Sequence, residues 1–187
     1  MRPNPFEDIL TFVTQAAWPT AVFWLLIVLS ALIALMIWRR DPMQRTGAHV
    51  GRWLLRVAVG SMWWQQSLWK IPPNFDGLRF WMQNMVDHGA IPLQSQLVGS
   101  LVIPNMPVFG PLVYALEVVI GVSLILGLLT RAGAALGALM ALNLWLGLYS
   151  APNEWPWTYA FLVIIQIGYF IDPPGRSLGL DATRKIS

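Results

Sequence analysis

The sequence lacks cysteine and has few charged side chains. Because no cysteine occurs among its 187 residues, the chain cannot form a disulfide, bind a metal through thiolates or carry out dithiol chemistry by itself. Only 11% of the residues are charged, whereas a soluble domain carries about 25%. The hydrophobic share is 56%, which indicates an integral membrane protein built as one helical bundle.

Several classes of site also lack the residues that they need. The two histidines, His49 and His88, fall in predicted loops, which argues against a haem held between spans by paired histidines. No cluster of His, Asp and Glu has the spacing of a metal site, and neither a P-loop nor a dinucleotide-binding glycine motif occurs. The net charge of +3 comes from basic residues in short loops. We therefore expect no haem, metal, nucleotide or nucleic acid.

Five stretches are predicted to cross a membrane as helices. A spanning helix needs about 20 apolar residues for a bilayer core of about 30 Å. The stretches are residues 18–38, 53–70, 108–131, 132–150 and 157–171. The first is too long for a signal peptide and ends on an arginine pair, so we interpret it as a membrane span as well.

Residues 71–107 form a long segment between the second and third spans. Apolar residues within 76–88 recur at i, i+3 and i+4, which is typical of an amphipathic helix on a membrane surface. A second helical stretch, residues 93–103, is expected to stop at Pro104 and Pro107. This insert either plugs the mouth of the bundle or frames an entrance from the lipid, and the sequence leaves both open.

The basic residues predict an orientation. The positive-inside rule assigns loops rich in Lys and Arg to the cytoplasm. With the amino terminus outside, nine basic residues fall on the inner side and three on the outer: Arg39, Arg40, Arg45, Arg52, Arg56, Arg131, Arg176, Arg184 and Lys185 against Arg2, Lys70 and Arg79. We therefore predict a multi-pass protein of the inner (cytoplasmic) membrane with a cytoplasmic carboxyl terminus.

One acid, Glu117, interrupts the third span near its middle. An ionisable group at that depth costs about 2.5–3.5 kcal/mol or more, so it marks a candidate functional site. Counting about 1.5 Å per residue from the outer end of each span puts Asn143, Gln166 and residues 61–64 at a similar depth. The sequence thus predicts one polar layer shared by four spans.

Two interpretations of this layer stay open. In the first, its side chains hydrogen-bond to one another and join the helices, at about 0.6 kcal/mol per pair: Glu117, Asn143, Gln166 and Ser61. In the second, they line a cavity for a hydrophobic ligand, with Glu117 as the catalytic proton donor or acceptor and Trp63 or Trp64 as a stacking wall.

The second span also carries two cations on one helical face. Arg56, Gly60, Trp63, Ser67 and Lys70 recur at steps of four and three residues. Arg56 and Lys70 either extend to opposite membrane surfaces or bind an anionic or quinoid ligand. The candidate ligand-binding residues are therefore Arg56, Trp63, Trp64, Lys70, Asn143 and Gln166.

Four stretches resemble the DoxX/DoxD family of small bacterial and archaeal membrane proteins. They are RVAVGSMWWQQSLWK, LEVVIGVSLILGLLTR, the small-residue span after it and the closing PPGRSLGLD, within residues 52–181. The family has a four-helix core, so the resemblance implies an all-α polytopic fold in which residues 41–187 form that domain around the insert 71–107. Residues 1–40 would add an amino-terminal segment and an extra transmembrane helix. The positions that match the family pattern are Arg56, Gly60, Lys70, Glu117, Gly121, Gly127 and Arg131.

The resemblance also implies a function. The DoxD branch is the membrane subunit of thiosulfate:quinone oxidoreductase, and other DoxX members are linked to redox homeostasis or to larger oxidoreductase assemblies. By this resemblance the chain would be a quinone-linked oxidoreductase subunit with a sulfur-linked electron donor, a quinone as candidate cofactor, and both lipids and partner subunits around it. The alternative is a non-catalytic accessory subunit of a larger respiratory or photosynthetic complex that holds lipid, quinone or pigment. The sequence leaves open whether the chain is itself an enzyme.

Overall fold

The computed structural model describes residues 4–183, and over that range the chain is helical without a β-strand. Arg2, Arg184 and Lys185, which contributed to the predicted orientation, lie outside the described residues. The α-helices of the described part are α1 (Pro5–Thr14), α2 (Trp18–Arg40), α3 (Gly47–Ser67), α4 (Asp76–His88), α5 (Pro92–Leu97), α6 (Met106–Leu126), α7 (Thr130–Gly147) and α8 (Pro156–Ile171). The all-α architecture is the one predicted.

All five predicted spans are helical, as α2, α3, α6, α7 and α8. Two helical segments among the described residues are long and apolar enough to cross a membrane on length and composition alone: Trp18–Arg40, with a mean hydropathy of 2.7 over an 18-residue stretch, and Pro92–Leu126, with 2.1 over a stretch of the same length. Helix α8 is apolar but has only 16 residues. These helices support a membrane protein.

The largest differences from the predicted span boundaries are at the start of α3 and at the end of α6. Helix α3 begins at Gly47, within the predicted loop 39–52, because Thr46 Oγ1 accepts a hydrogen bond from His49 N and caps the helix. His49 therefore lies in the first helical turn and not in a loop. Helix α6 ends before Gly127, whose φ of +70° allows the left-handed turn that closes the helix.

Helix α1 was not predicted, because the first residues have a mixed polar character. It packs on the start of α2, where the rings of Phe12 and Phe23 have centroids 5.0 Å apart. Trp24 Nε1 donates a hydrogen bond to Val13 O at 2.9 Å. The start of α2 is thus covered by the short helix α1.

The predicted amphipathic helix is α4, with the predicted bounds. Its apolar face contacts protein, as part of one core cluster at the ends of α6 and α7: Leu78, Met82, Met85, Val98, Met106, Leu148 and Ala151. Ala90 N also donates to Leu146 O at 2.7 Å. This arrangement favours the interpretation in which the insert plugs the mouth of the bundle. The expectation that the apolar face of α4 lies on lipid is wrong.

The predicted stop at Pro104 and Pro107 is also wrong. Helix α5 continues through a π-helical turn (Val98–Val102) and a 3₁₀ turn (Ile103–Asn105) into α6. Each proline lies at the first or second position of its segment, where a missing N–H removes no hydrogen bond within that segment.

Helix α2 has one buried face: Phe23, Leu26, Ser30, Ala34 and Ile37. Phe23 and Leu26 pack with Ile125 of α6, whereas Ala34 and Ile37 pack with Leu178 of the carboxyl-terminal segment. Ser30 Oγ donates to Ile125 O at 2.6 Å and accepts from Trp53 Nε1 at 3.1 Å. The opposite face of α2 is exposed. Helices α3 and α6 pack side by side, as do α7 and α8, so α2 lies against the outside of a four-helix arrangement.

Candidate functional site

The candidate site is organised by the close approach of α3 and α6. A Cβ at Gly60 would lie 2.9 Å from Ile125 N, and one at Gly121 would lie 3.1 Å from Trp64 N. Only glycine leaves room for backbones at this distance. Because the two helices meet here, Arg56 and Lys70, which lie on either side of this contact in the sequence, are brought against α6.

Lys70 and Glu117 form a buried ion pair at one end of this contact. Helix α3 is extended by a 3₁₀ turn (Leu68–Lys70), and Lys70 Nζ lies 2.6 Å from both carboxylate oxygens of Glu117. The ammonium also donates to Gln66 O at 3.1 Å and lies 4.1 Å from the centroid of the Trp69 ring. Lys70 therefore does not extend to a membrane surface, and that alternative is wrong for it.

Arg56 occupies the other end of the contact and is fully buried. Its Nη1 donates to Leu124 O and Ile125 O, two carbonyls of the last turn of α6. A cation is favourable there because the carboxyl end of a helix carries a partial negative charge. The alternative in which Arg56 extends to the membrane surface is therefore wrong as well. Its Nε and Nη2 have no hydrogen-bond partner among the described residues.

The carboxyl-terminal segment closes the bundle below Arg56. Asp181 Oδ1 accepts from Leu129 N at 2.7 Å, while Oδ2 accepts from Thr130 N at 2.9 Å and from Thr130 Oγ1 at 2.6 Å. Asp181 N donates to Gly127 O at 2.8 Å. Neither Asp181 nor Thr130 was selected from the sequence as a site residue, although both belong to stretches that carry the family resemblance. The two residues are 51 positions apart, and no sequence pattern predicts their contact.

Gln44 and His49 fix the same segment. Gln44 Nε2 donates to Arg176 O at 3.1 Å, and its Oε1 accepts from Leu178 N at 2.8 Å. His49 Nδ1 lies 2.9 Å from Ser177 Oγ. This histidine thus has a structural contact, and its position results from the early start of α3.

Gln166 lies between α8 and α7 and is fully buried. A Cβ at Gly137 would lie 2.6 Å from its Nε2, so the absence of a side chain at Gly137 provides the space for the amide. Neither Nε2 nor Oε1 has a hydrogen-bond partner among the described residues. The predicted hydrogen bond from Gln166 to a shared polar layer is therefore not formed.

The two tryptophans face different neighbours. Trp63 belongs to the core cluster of Ile120, Leu124 and Ala141, which continues to Leu162 and Val163 of α8. Trp64 instead packs with Phe23 and Leu26 of α2 and with Ile125. The two rings therefore do not line one space together. Both indole N–H groups are buried without a partner among the described residues.

Asn143 and Ser61 do not join Glu117. Asn143 is exposed, and its side-chain oxygen accepts from Gln94 Nε2 of the insert at 2.8 Å. Ser61 Oγ donates to Val57 O of its own helix at 2.8 Å. The interpretation of these side chains as a mutually bonded layer is wrong, because the residue that meets Glu117 is Lys70.

Trp63 belongs to one apolar cluster, named here the Trp63 cluster: Trp63, Ile120, Leu124 and Ala141 with Val59, Leu136, Met140, Leu162, Val163 and Tyr169. Gln166 comes after Leu162 and Val163 on the same helical face. One of the two carbonyls that accept from Arg56 belongs to Leu124, a member of the cluster. Glu117 precedes Ile120 by three residues on α6. The described residues contain no group of three or more His, Cys, Asp or Glu arranged to hold a metal ion.

Comparison with known proteins agrees with the resemblance seen in the sequence. Searches of curated proteins and of solved structures find no match. The model of the DoxX family matches residues 51–150, which is more than half of the chain. The match includes most of α3 and all of α4, α5, α6 and α7. The helical, apolar chain is thus a membrane protein that belongs to the DoxX family.

Proposed function

We propose that this DoxX protein is the membrane subunit of a quinone-linked oxidoreductase, and that the Trp63 cluster binds the quinone headgroup. One observation carries the proposal: buried polar atoms around the cluster have no partner among the described residues. They are the indole N–H of Trp63, both amide atoms of Gln166, and Nε and Nη2 of Arg56. Since buried polar groups normally have partners, we expect these atoms to bind a ligand.

A quinone headgroup suits these atoms. It is a flat apolar ring with two carbonyl oxygens, and each oxygen accepts hydrogen bonds. Trp63, Gln166 and Arg56 all offer N–H donors, and the aliphatic members of the cluster would contact the ring. A bound quinone would supply chemistry that takes up two electrons and two protons.

The Lys70–Glu117 pair would hold a proton for that chemistry. Lys70 Nζ donates to both oxygens of Glu117, so a proton can pass between ammonium and carboxylate within existing hydrogen bonds. Glu117 lies one helical turn from Ile120 of the Trp63 cluster. In this proposal Glu117 carries the proton, and Lys70 keeps the buried carboxylate in place.

Electrons would come from a sulfur-linked donor such as thiosulfate, as the DoxD branch suggests. Because the sequence contains no cysteine, the chain has no dithiol to oxidise. Electrons would therefore enter through a partner subunit or pass directly to the quinone.

The test is thiosulfate-dependent reduction of decylubiquinone by native membranes that contain the chain. We expect Glu117→Gln to lower the rate at least about tenfold at equal membrane abundance, consistent with loss of one proton-transfer group. Asp87→Asn is the control, because it removes an exposed carboxylate of α4. Full activity of Glu117→Gln would contradict the role of Glu117, and no thiosulfate-dependent rate in the wild type would contradict the donor.

A second candidate is a non-catalytic accessory subunit of a larger membrane complex. The exposed apolar face of α2, which includes Leu25, Val28 and Leu32, is the observation that favours it. Co-purification with a large complex in mild detergent, with no quinone reduction by the chain and no effect of Glu117→Gln, would support this function over the first.

A further inference from the structure

We propose that the carboxyl-terminal end of α2 binds an anionic phospholipid. A surface groove of about 290 Å³ lies there, lined by Leu32, Leu35, Met36, Arg39 and Arg40. The two arginines lie in the last turn of the helix, and the apolar residues occupy the preceding two turns of the same face. The groove is separate from the Trp63 cluster, so this inference does not rest on the proposed function.

The charge of the groove is not neutralised within the described part of the chain. Arg39 and Arg40 are exposed, and neither forms an ion pair with a described residue. Arg45 caps the carboxyl end of α2, since its Nε donates to Trp38 O at 2.8 Å and its Nη2 to Arg39 O at 3.0 Å. The guanidinium groups of Arg39 and Arg40 are thus available to an external anion.

Asp41 is the acid next to this pair in sequence. Its Oδ1 accepts from Met43 N at 3.0 Å and caps the 3₁₀ turn after it. The carboxylate therefore has a structural partner. It does not form an ion pair with Arg39 or Arg40.

The apolar part of the groove distinguishes a lipid from a free anion. Leu32 and Leu35 are 57% and 46% exposed, and they continue the line of the arginines along α2. A phosphate ion has no group to cover them, whereas an acyl chain lies along such a face while the phosphodiester meets the guanidinium groups. The ligand class that matches both parts is a phospholipid with a net negative headgroup.

The test is native mass spectrometry of the full chain in detergent, titrated with palmitoyl-oleoyl phosphatidylglycerol or with phosphatidylcholine of the same acyl chains. Each basic residue near an anionic headgroup strengthens binding by about fivefold. We expect the wild type to prefer phosphatidylglycerol, and R39Q/R40Q to weaken that binding by about 10- to 30-fold. The control R52Q/R176Q removes two exposed arginines that do not line the groove.

Equal losses of phosphatidylglycerol affinity in R39Q/R40Q and R52Q/R176Q would overturn the proposal. Equal affinity of the wild type for phosphatidylglycerol and phosphatidylcholine would overturn it as well. Inorganic phosphate at millimolar concentration should not displace the lipid, and displacement would show a simple anion site instead. Tryptophan fluorescence and thermal unfolding check that each variant is folded. Since all four arginines are exposed, we expect unfolding temperatures that match the wild type.

Discussion

Lys70 Nζ lies 2.6 Å from each carboxylate oxygen of Glu117, and their side chains are only 6% and 2% exposed. Either charge alone would be costly in this apolar interior. Together they neutralise each other across α3 and α6, at the end of a contact in which Gly60 and Gly121 bring the backbones together. The acid that interrupts the third predicted span thus has a cation from another helix as its partner.

Breaking this pair is predicted to destabilise the protein more than removing both charges. Lys70→Met and Glu117→Leu should each lower the free energy of unfolding by about 3–5 kcal/mol, because each leaves an uncompensated buried charge. The double variant should cost much less than the sum. A mixed-detergent titration with tryptophan fluorescence as the signal gives the free energy of unfolding of each protein in this double-mutant cycle.

The exposed pair of Arg52 and Asp172 is the matched control. Its atoms lie 3.5 Å apart, and its side chains are 52% and 63% exposed. The same double-mutant cycle there should give a coupling of about 0–1 kcal/mol. A coupling at Lys70–Glu117 no larger than this would contradict the importance of the buried pair.

Alanine at two glycines of α3 is predicted to have opposite effects. Gly60→Ala would place a Cβ 2.9 Å from Ile125 N and should lower stability by about 1–3 kcal/mol, since backbone atoms must move. At Gly51 a Cβ meets nothing within 4 Å, so Gly51→Ala should raise stability by up to about 1 kcal/mol through helix propensity. Thermal unfolding in detergent compares them, and the same sign for both would contradict the close contact.

Asp181→Asn is predicted to release the carboxyl-terminal segment. The carboxylate accepts three hydrogen bonds from Leu129 and Thr130 through its two oxygens. Asparagine keeps one accepting oxygen, but its amide nitrogen cannot accept, so at least one of the three hydrogen bonds is lost. Limited trypsin digestion should then cleave faster after Arg176 than in the wild type. Asp172→Asn removes an exposed carboxylate nearby and should leave the cleavage rate unchanged. An unchanged rate in Asp181→Asn would mean that other contacts hold the segment.

The sequence predicted α4 with its observed bounds and placed helices at all five spans. Periodicity was sufficient for α4, because apolar residues that recur at i, i+3 and i+4 indicate a helix and not a strand. Whether the apolar face of α4 contacts protein or lipid was not predictable in the same way. Protein and lipid are both apolar partners, and the sequence does not distinguish between them.

The depth of polar residues was predicted poorly for a different reason. Counting from the ends of spans assumes that every helix ends at the same level, but α5 runs on into α6 and a 3₁₀ turn extends α3 to Lys70. Glu117 therefore meets Lys70 instead of residues 61–64, and Asn143 pairs with Gln94. The contacts of Asp181 join residues more than 50 positions apart, which no local pattern reveals.

Gln166→Leu is predicted to separate stability from ligand binding. Leucine has a similar volume and removes two buried polar atoms that lack partners, so the ligand-free protein should gain about 1 kcal/mol or more. If the amide instead had only a structural role, the substitution would be destabilising. Thermal unfolding in detergent gives the sign.

The most direct measurement of the central claim is the affinity of the purified chain for decylubiquinone, followed by quenching of tryptophan fluorescence. Gln65→Leu on the exposed face of α3 serves as the matched control. We predict that Gln166→Leu binds the quinone at least about tenfold more weakly than the wild type, as expected for loss of a buried hydrogen bond, while Gln65→Leu binds it equally. Equal affinity of all three proteins, or no saturable quenching in the wild type, would contradict a quinone at the Trp63 cluster.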